Sequence, residues 1–512
     1  MAMRELLLRW RNWLGPVLVV LAGFLLRAGY YTENYGHPDE TITVEVVGHL
    51  RSSGDWDTNW AKAPNLESTL RYDQYNFSSH LYATYFFYRA VKWVPGLDAW
   101  RSRDNGFWVY RFFSVLLATV VVWQTWWLAR RVAGDGAGLV AGALVAVVPL
   151  LVQDAHYMRP EAWVTALTMG AAMACLPAGD LKGWRIFVGA VLMGLAIACK
   201  FSLLALVWLP LVPVLAAGWT GCGTIGRVLG AAGWALLGIG VGFALGAPNA
   251  IVHPQVFLHG MNYLSAHYAG LHPPYSHVDG GPVAGMLGGY FLATLGVPAL
   301  AAGGVGAGWL LVRRRWAEAM LLAGPVGLFA GYFCTRSVFF ERNLSHVVPL
   351  FCVLAGVGVV VTAGGLAARW GGQILAVTVL VCALVILRPA ELSGRLVFAD
   401  FSGRNAANHE VLEAGIRAAH PEKAWWIEAI LNGEPLDRLV AHFEKGGAPV
   451  VLRVIDYHDE WSARYGAMLP ARLKVELIAE FPSTFADVPN CTLHTYNSWT
   501  DRYYLVRGVQ KP

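Results

Sequence analysis

FWVYRFFSVLLATVVVWQTWWLA, residues 107–129, is an apolar run that contains one charged residue, Arg111. A helix needs about 20 such residues to cross the hydrocarbon core of a bilayer. Similar runs recur along the chain, and hydropathy predicts about eleven membrane spans. They are residues 13–30, 107–129, 137–152, 161–177, 185–199, 201–217, 228–247, 283–311, 317–334, 344–363 and 371–388. Because backbone groups in hydrocarbon must be hydrogen-bonded within their own segment, we predict an all-α polytopic membrane protein.

The composition agrees with this class. Hydrophobic residues make up 56% of the 512 residues and charged residues only 14%. Soluble domains carry about 25% charged residues, so the deficit is large. The apolar run Leu14–Leu26 is followed by no small-residue cleavage site, and we therefore interpret it as an uncleaved first span.

The distribution of basic residues predicts the orientation. With the N-terminus in the cytoplasm, the loops on that side are short and strongly basic, as at Arg130 and residues 313–315. The opposite side then holds three long segments, residues 31–106, 248–282 and 389–512. Functional residues concentrate in long loops on a rigid scaffold, so we predict that the outer face is the working face.

The outer segment 31–106 contains two amphipathic stretches, Glu40–Leu50 and Phe77–Val94. The second is rich in Tyr, Phe and Trp and carries Arg89 and Lys92, which is typical of a helix lying in the headgroup region. An ordinary helix packed within a small extramembrane domain is the alternative.

The C-terminal tail has the pattern of a small α/β domain. Strands are predicted at residues 448–456, 472–481 and 502–508. Helices are predicted at residues 408–419 and 435–447. We therefore predict two parts, a transmembrane module at residues 1–388 that includes the loop 31–106, and a soluble domain at residues 389–512.

The string His37-Pro38-Asp39-Glu40 follows the first span by a few residues. Pro38 disfavours a helical His37 and suits a first helical turn, which places Asp39 and Glu40 at a helix start just above the membrane. Helix capping alone would explain carboxylates there. The functional alternative is a catalytic base on a rigid helix, and Asp39 and Glu40 are the candidate catalytic residues.

A second group of polar residues crowds the very short outer loop between the third and fourth predicted spans. It comprises Asp154, His156, Arg159 and Glu161. Ionisable side chains at membrane depth are costly and usually functional, although a loop exposed to water is a sufficient alternative. Asp154, His156 and Glu161 are the candidates for binding an acceptor or a metal ion.

Four cations are candidates for binding a phosphate group. Lys200 stands alone between two apolar runs, where it either snorkels to the interface or faces a cavity. Arg336 and Arg342 lie at the outer end of the ninth span and the start of the tenth, and two guanidinium groups can clamp a phosphate. Pairing of Arg342 with Glu341 is the structural alternative. Arg159 is the fourth candidate.

The outer segment 248–282 is rich in rings that bind metals or stack. These are His253, His259, His267, Tyr268, His272, Tyr275 and His277. Their spacing matches no metal-ligand pattern, so no cofactor is assigned, and a divalent metal stays an open alternative.

Taken in order, these motifs resemble the class C (GT-C) glycosyltransferases, integral-membrane enzymes that use polyprenyl-phosphate sugars. The string from His37 to Glu40 resembles the motif of the dolichyl-phosphate-mannose-dependent mannosyltransferases. The layout is similar to the bacterial relatives of protein O-mannosyltransferase and aminoarabinose transferase. Those relatives have an arginine five positions before an aspartate in the second outer loop, whereas His156 and Glu161 have that spacing here.

Further elements extend the resemblance over roughly residues 10–360. Lys200-Phe201-Ser202 resembles a lysine-aromatic-hydroxyl element, and residues 341–351 resemble an arginine-to-proline element of a late span. Residues 247–257 resemble the outer loop after the seventh span. The tail 389–512 resembles no family that we can name.

The resemblance implies a GT-C fold and an inverting hexosyltransferase of the bacterial inner membrane, similar to mannosyltransferases. The enzyme would move a sugar from a polyprenyl phosphate to an acceptor hydroxyl on the periplasmic face. Asp39 would take the hydroxyl proton, and the leaving phosphate would be stabilised by Lys200, Arg342, Arg336 and Arg159. The implied partners are the lipid-linked donor, a lipid, glycan or protein acceptor, and the bilayer, with no nucleic acid.

The sequence is also compatible with three alternatives. A lipid or polysaccharide transporter or flippase also has many spans, but usually shows repeated halves, and this sequence shows no such repeat. A ligase that transfers oligosaccharides from a lipid diphosphate differs in donor rather than in fold. The third is an assembly subunit that kept the fold and lost activity, because His156 replaces the arginine of the family.

Overall fold

The computed structural model describes residues 2–33, 37–176, 181–220, 224–370, 374–429, 434–488 and 499–510, and most of them are helical. Up to Arg395 the helices are α1 (Ala2–Ala28), α2 (Glu40–Ser53), α3 (Ser78–Val91), α4 (Asp98–Ser102), α5 (Phe107–Ala133), α6 (Asp135–Ala146), α7 (Pro149–Ala155), α8 (Pro160–Cys175), α9 (Gly183–Ile197), α10 (Val212–Thr220), α11 (Ile225–Gly246), α12 (Pro248–Val252), α13 (Pro254–His267), α14 (Ala284–Val312), α15 (Trp316–Cys334), α16 (Val348–Trp370) and α17 (Ile374–Arg395). Short 3₁₀ turns occur at Trp60–Lys62, Arg103–Gly106, Phe201–Leu206, Leu209–Leu211 and Glu341–Leu344, and α17 continues as a π-helical turn, Leu396–Phe401.

Seven helical segments of the described chain are long and apolar enough to cross a membrane. An eighth span results if α6 and α7, which are bent by 61° relative to each other, count as one. The three other predicted spans coincide with shorter helices, namely Trp13–Ala28 within α1, α8 and α9. The prediction of a helical multi-pass membrane protein is confirmed.

Glycine allows α14 and α16 to pack closely. A Cβ at Gly306 in α14 would overlap the backbone oxygen of Leu354 in α16, and a Cβ at Gly358 would overlap that of Ala302. Small residues let helix backbones approach inside a membrane, where van der Waals packing drives association. Because α16 follows directly on residues 335–347, this contact fixes the position at which that segment ends.

The segment between α1 and α5 folds onto the helix bundle. Its two predicted amphipathic stretches form α2 and α3, which share a buried cluster with Tyr110 of α5. Ser79 of α3 donates through Oγ to the backbone oxygen of Leu195 at 2.7 Å and accepts from Nε1 of Trp163 at 2.9 Å. Phe86, two turns further along α3, is exposed. The helix is thus packed on protein along one side, and its location in the headgroup region stays a prediction.

The tail combines three helices with a four-stranded sheet. They are α18 (Arg404–Ala419), α19 (Glu434–Glu444), α20 (Glu460–Arg472), β1 (Ala424–Ala429), β2 (Val450–Asp456), β3 (Leu473–Phe481) and β4 (Thr500–Val509). The strand order is β1-β2-β4-β3, with β1 parallel to β2 and the other two neighbouring pairs antiparallel. The structure contains the predicted strands and helices. It also contains β1 and α20, which the sequence pattern did not predict.

The tail is attached to the membrane helices by side chains that follow β3. Phe485 and Val488 are buried in the same hydrophobic cluster as the membrane helices. Arg388 and Arg395 of α17 both pair with Asp487, at 2.8 and 2.9 Å. Since α17 runs past residue 388 to Arg395, the helix joins both parts of the chain, and their division at that residue stays a prediction.

A second attachment joins α20 to the segment after α13. Nε1 of Trp461 donates to the backbone oxygen of Ser276 at 2.6 Å, and Nδ1 of His277 lies 2.8 Å from Oε1 of Glu460. One residue before Ser276, the backbone oxygen of Tyr275 accepts from the N–H of Phe339 at 2.8 Å. The tail therefore braces a loop that contacts the segment leading into the 3₁₀ turn Glu341–Leu344.

Candidate active site

Asp39 lies at the start of α2, but within the described chain its carboxylate forms no capping hydrogen bond to that helix. Its Oδ2 lies 3.4 Å from Nη2 of Arg342 and 3.7 Å from Nδ1 of His37. Nδ1 of His37 accepts the backbone N–H of Asp39 at 3.0 Å, so its lone pair is already engaged. The Asp39 side chain is 27% exposed. Helix capping does not explain this carboxylate, which faces a cation and can reach a ligand.

Glu40, in contrast, is buried and saturated with hydrogen bonds. Its Oε1 accepts from Nε of Arg111 at 2.8 Å and from the N–H of Met158 at 2.9 Å. Its Oε2 accepts from Nη2 of Arg111 at 2.7 Å and from the N–H of His37 at 2.8 Å. A bidentate arginine and two backbone donors hold the carboxylate in one place. These contacts are those of a positioning residue beside Asp39, and its predicted catalytic role stays a prediction.

A continuous chain of contacts joins most of the second predicted group. Oγ of Ser345 donates to Oδ2 of Asp154, and Nη2 of Arg159 donates to Oδ1 of Asp154 at 2.8 Å. Nε of Arg159 lies 3.5 Å from Oε2 of Glu161, whose Oε1 accepts from Nζ of Lys200 at 2.8 Å. All of these residues except Lys200 are buried. Asp154 and Glu161 thus hold two of the four candidate phosphate-binding cations, Arg159 and Lys200, in place.

Charges set the protonation of the groups around this chain. Burial lowers the pKa of Arg159, but the carboxylates of Glu161 and Asp154 outweigh burial and hold that pKa above its ordinary value. Burial raises the pKa of Glu341 to about 7, against the opposing effect of Arg342. Neither carboxylate oxygen of Glu341 has a side-chain hydrogen-bond partner in the described chain. Arg342 therefore pairs with Asp39 rather than with Glu341.

Lys200 opens onto a cavity of about 270 Å³. The lining residues are Asn76, Lys200, Phe201, Ser202, Met261, Leu264, Ser265, Tyr268, Tyr332, Phe333 and Asn343. Nδ2 of Asn343 donates to the hydroxyl of Tyr268 at 2.8 Å, which fixes the residue next to Arg342. A cavity that mixes apolar walls with a lysine, an amide and hydroxyl groups can hold an anionic headgroup.

An apolar cavity of about 260 Å³ lies between α14, α15 and α16. Leu344, at the end of the 3₁₀ turn, lines this apolar cavity. The preceding residue of the turn, Asn343, lines the cavity beside Lys200. Leu295 and Leu300 on the wall of the apolar cavity flank Gly296, where α14 is broken by a left-handed φ of 76°. This cavity can take a hydrocarbon chain.

Two predicted residues lie outside this cluster. Nδ1 and Nε2 of His156 lie 2.7 and 2.8 Å from the backbone oxygens of Val152 and Gly29, and the ring stacks on Phe401 at 4.0 Å between centroids. The guanidinium of Arg336 lies over the ring of Tyr332, at 4.3 Å. The predicted roles of His156 and Arg336 stay predictions that these contacts do not support.

Within the described residues, no group of three or more His, Cys, Asp or Glu side chains is arranged to hold a metal ion. In the histidine-rich segment the rings of His267 and His272 lie 4.7 Å apart beside Phe340. Burial lowers the pKa of His272 to about 4, and His267 and Arg342 add to this effect. The divalent metal stays a prediction.

Sequence reasoning missed several residues that build this site. Arg111 was visible only as the single charge of a predicted span, and a buried charge needs a partner. That rule was a usable signal for the Arg111–Glu40 pair. Ser345, Asn343 and Tyr268 gave no comparable signal, because their contacts depend on how distant segments meet.

Comparison with known proteins gives one match in sequence. Residues 102–251 match the family model described as dolichyl-phosphate-mannose-protein mannosyltransferase. This range contains Arg111, the Asp154–Glu161 loop and Lys200, but ends before Arg342. No curated protein matches the chain in sequence.

Solved structures give matches in fold. ArnT from Cupriavidus metallidurans in the apo state is 16% identical, with 99% of this chain and 98% of that chain covered and a TM-score of 0.50. ArnT bound to undecaprenyl phosphate is 15% identical, with 96% and 97% covered and a TM-score of 0.47. The Archaeoglobus fulgidus oligosaccharyltransferase AglB, in complex with an inhibitory peptide and a dolichol-phosphate, is 12% identical, with 76% of this chain covered and a TM-score of 0.47. The chain spans 56% of the length of AglB. The match to apo ArnT confirms the predicted fold class.

Proposed function

We propose that the chain is a GT-C glycosyltransferase that moves one hexose, such as mannose, from a polyprenyl phosphate to an acceptor hydroxyl. The family match of residues 102–251 and the fold shared with apo ArnT support this proposal. Transfer takes place with inversion, on the periplasmic face of the bacterial inner membrane. The observation that carries the proposal is the position of Asp39. Its partly exposed carboxylate is free of helix capping and lies 3.4 Å from Arg342, in the outer segment that also meets the Lys200 cavity.

In this proposal, each of the two cavities binds a different part of the donor. The apolar cavity beside Leu344 takes part of the polyprenyl chain, and the cavity beside Lys200 takes the phosphate and sugar. The phosphate then lies near the turn that carries Arg342. Both cations are partly accessible, with side-chain exposures of 13% for Lys200 and 17% for Arg342.

Donor binding also prepares the base. Arg342 pairs with Asp39 at 3.4 Å, which is a long contact for two charged groups. A phosphate that binds Arg342 competes with Asp39 for the guanidinium, so the carboxylate becomes available to an acceptor hydroxyl. Asp39 takes the proton of that hydroxyl, and the oxygen attacks the anomeric carbon.

The bond between the anomeric carbon and the phosphate oxygen breaks, and its electron pair stays on the phosphate. Attack and departure on opposite faces give inversion. Arg342 and Lys200 offset the charge that grows on the phosphate, and losing such a group typically costs ~10²–10³ in rate. The buried guanidinium of Arg159, which Asp154 and Glu161 hold in place, adds further positive charge.

The proposal is tested by lipid analysis. Membranes with and without the protein are incubated with lipid-linked sugars, extracted and analysed by mass spectrometry. We expect consumption of a polyprenyl-phosphate sugar, release of the polyprenyl monophosphate and a newly glycosylated acceptor. Release of a diphosphate would instead identify an oligosaccharide ligase, and movement of an intact lipid across vesicles without sugar transfer would identify a transporter.

A further inference from the structure

We propose that the end of the helix bundle opposite Asp39 holds a phosphate-binding site for an anionic phospholipid. The site is a cavity of about 150 Å³ between the end of α5, the end of α8 and the start of α15. Trp127, Arg131, Leu176, Arg315 and Glu318 line it.

The position of the cavity along α5 places it far from the candidate active site. Arg111, near one end of this helix, holds Glu40, and Arg131 lies 20 residues further along the same helix. At 1.5 Å per residue the two arginines are about 30 Å apart along the axis, which is the thickness of the hydrocarbon core. The cavity is therefore at the opposite membrane surface.

Exposed tryptophans support this depth. Trp184, at the start of α9, and Trp316, at the start of α15, are 66% and 49% exposed. Exposed tryptophan rings in membrane proteins concentrate at the level of the lipid headgroups. Trp127 inside the cavity adds an apolar wall that suits the glycerol and the first carbons of a lipid chain.

The cavity carries an excess of positive charge. Arg315 donates through Nε and Nη2 to Oε1 of Glu318, and through Nη1 to the backbone oxygen of Val132, so the single lining carboxylate is already neutralised. Arg131 lies over the Trp127 ring at 5.1 Å and forms no ion pair with a described carboxylate. Nη2 of Arg185 donates to the backbone oxygen of Leu176, one of the lining residues, at 2.8 Å.

A phosphate group matches this chemistry. A guanidinium binds phosphate oxygens in a planar, bidentate manner, and basic pockets between membrane helices bind anionic lipid headgroups. A zwitterionic lipid would add its own cation to a site that is already positive. The occupant is therefore the phosphodiester of an anionic lipid such as phosphatidylglycerol.

The test compares two neighbouring arginines in the full-length protein in detergent. Arg131→Gln removes the lining guanidinium that forms no ion pair with a described carboxylate, whereas the control Arg130→Gln removes an exposed arginine that pairs with Asp135. Native mass spectrometry measures binding of phosphatidylglycerol and phosphatidylcholine, and thermal unfolding without lipid checks that each variant is folded. We expect selective, saturable binding of phosphatidylglycerol by wild type and by Arg130→Gln, and a loss of about five-fold or more in Arg131→Gln.

Two further measurements distinguish a lipid phosphate from a free phosphate ion and a loss of binding from misfolding. Competition by millimolar inorganic phosphate would assign the site to a free phosphate ion, and its absence assigns it to the lipid. Arg131→Lys keeps the charge and is expected to bind phosphatidylglycerol more tightly than Arg131→Gln. Equal binding of the two lipids, or wild-type binding by folded Arg131→Gln, would overturn the proposal. None of these measurements depends on sugar transfer.

Discussion

Arg111 holds both carboxylate oxygens of Glu40, through Nε at 2.8 Å and Nη2 at 2.7 Å, and both side chains are buried. The pair joins α5 to the start of α2 and so fixes the helix turn that carries Asp39. Removing one partner of a buried ion pair leaves an uncompensated charge. We therefore expect Arg111→Met to lower the free energy of unfolding by ~3–5 kcal/mol.

Thermal unfolding of the purified protein in detergent measures this effect as a lower Tm. Arg89→Gln is the matched control, because Arg89 is exposed on α3. A Tm of Arg111→Met equal to that of Arg89→Gln would show that the pair does not hold the turn.

Arg342 is expected to stabilise the leaving phosphate. Arg342→Gln removes the cation nearest to Asp39, and we expect kcat/KM for the lipid donor to fall by ~10²–10³. Arg342→Lys keeps the charge but loses the planar fork, so its loss should be smaller. Steady-state transfer assays with varied donor concentration give these values. Wild-type kcat/KM in the glutamine variant would remove Arg342 from the mechanism.

Glu341 predicts a pH dependence of donor binding. Burial raises the pKa of this carboxyl to about 7, so the group is mainly neutral below that pH and mainly an anion above it. The anion lies next to Arg342 and competes with the phosphate for its charge. We expect the KM for the donor to rise as pH passes from about 6 to about 8, whereas Glu341→Gln shows a flat profile. The same rise in both proteins would assign the pH dependence to another group.

Ionisation of Glu341 should also lower the stability of the folded protein. Because the folded-state pKa lies above the ordinary value, the folded protein resists ionisation and loses stability as pH rises towards 7. Glu341→Gln is expected to reduce this loss, measured as Tm against pH. An unchanged slope would mean that the carboxyl is not buried in solution as it is here.

Chelation tests the open question of a metal ion. The carboxylates of Asp154 and Glu161 already contact Arg159, Ser345 and Lys200, so two side-chain cations and a hydroxyl group occupy the positions that a metal ion would need. We expect transfer activity to survive treatment with EDTA. Loss of activity that Mg²⁺ or Mn²⁺ restores would show that these acids bind a metal ion during the reaction.

The sequence was sufficient for the features that depend on local composition. Long apolar runs such as residues 107–129 specify membrane helices, because hydrocarbon leaves the backbone no other partner. The ordered motifs around Asp39, Lys200 and Arg342 identified the polar segments, and the structure brings the three residues into one region.

Other features depend on contacts between distant segments. Arg111 meets Glu40 from 71 positions away, and Ser345 meets Asp154 from 191 positions away. The strand β1 is defined by its parallel pairing with β2, which a six-residue segment does not reveal by itself. Glycine contacts between α14 and α16 likewise leave no periodic signal in the sequence.

The proposed transfer depends on Asp39 as the base, and Asp39→Asn tests this role. The variant keeps the shape of the side chain and removes its basicity, so we expect transfer to the acceptor to fall by ~10²–10⁴. Tm and detergent elution should match wild type, and Asp98→Asn, an exposed acid of the same outer segment, should transfer normally. Near-normal sugar transfer by a correctly folded Asp39→Asn would contradict the account.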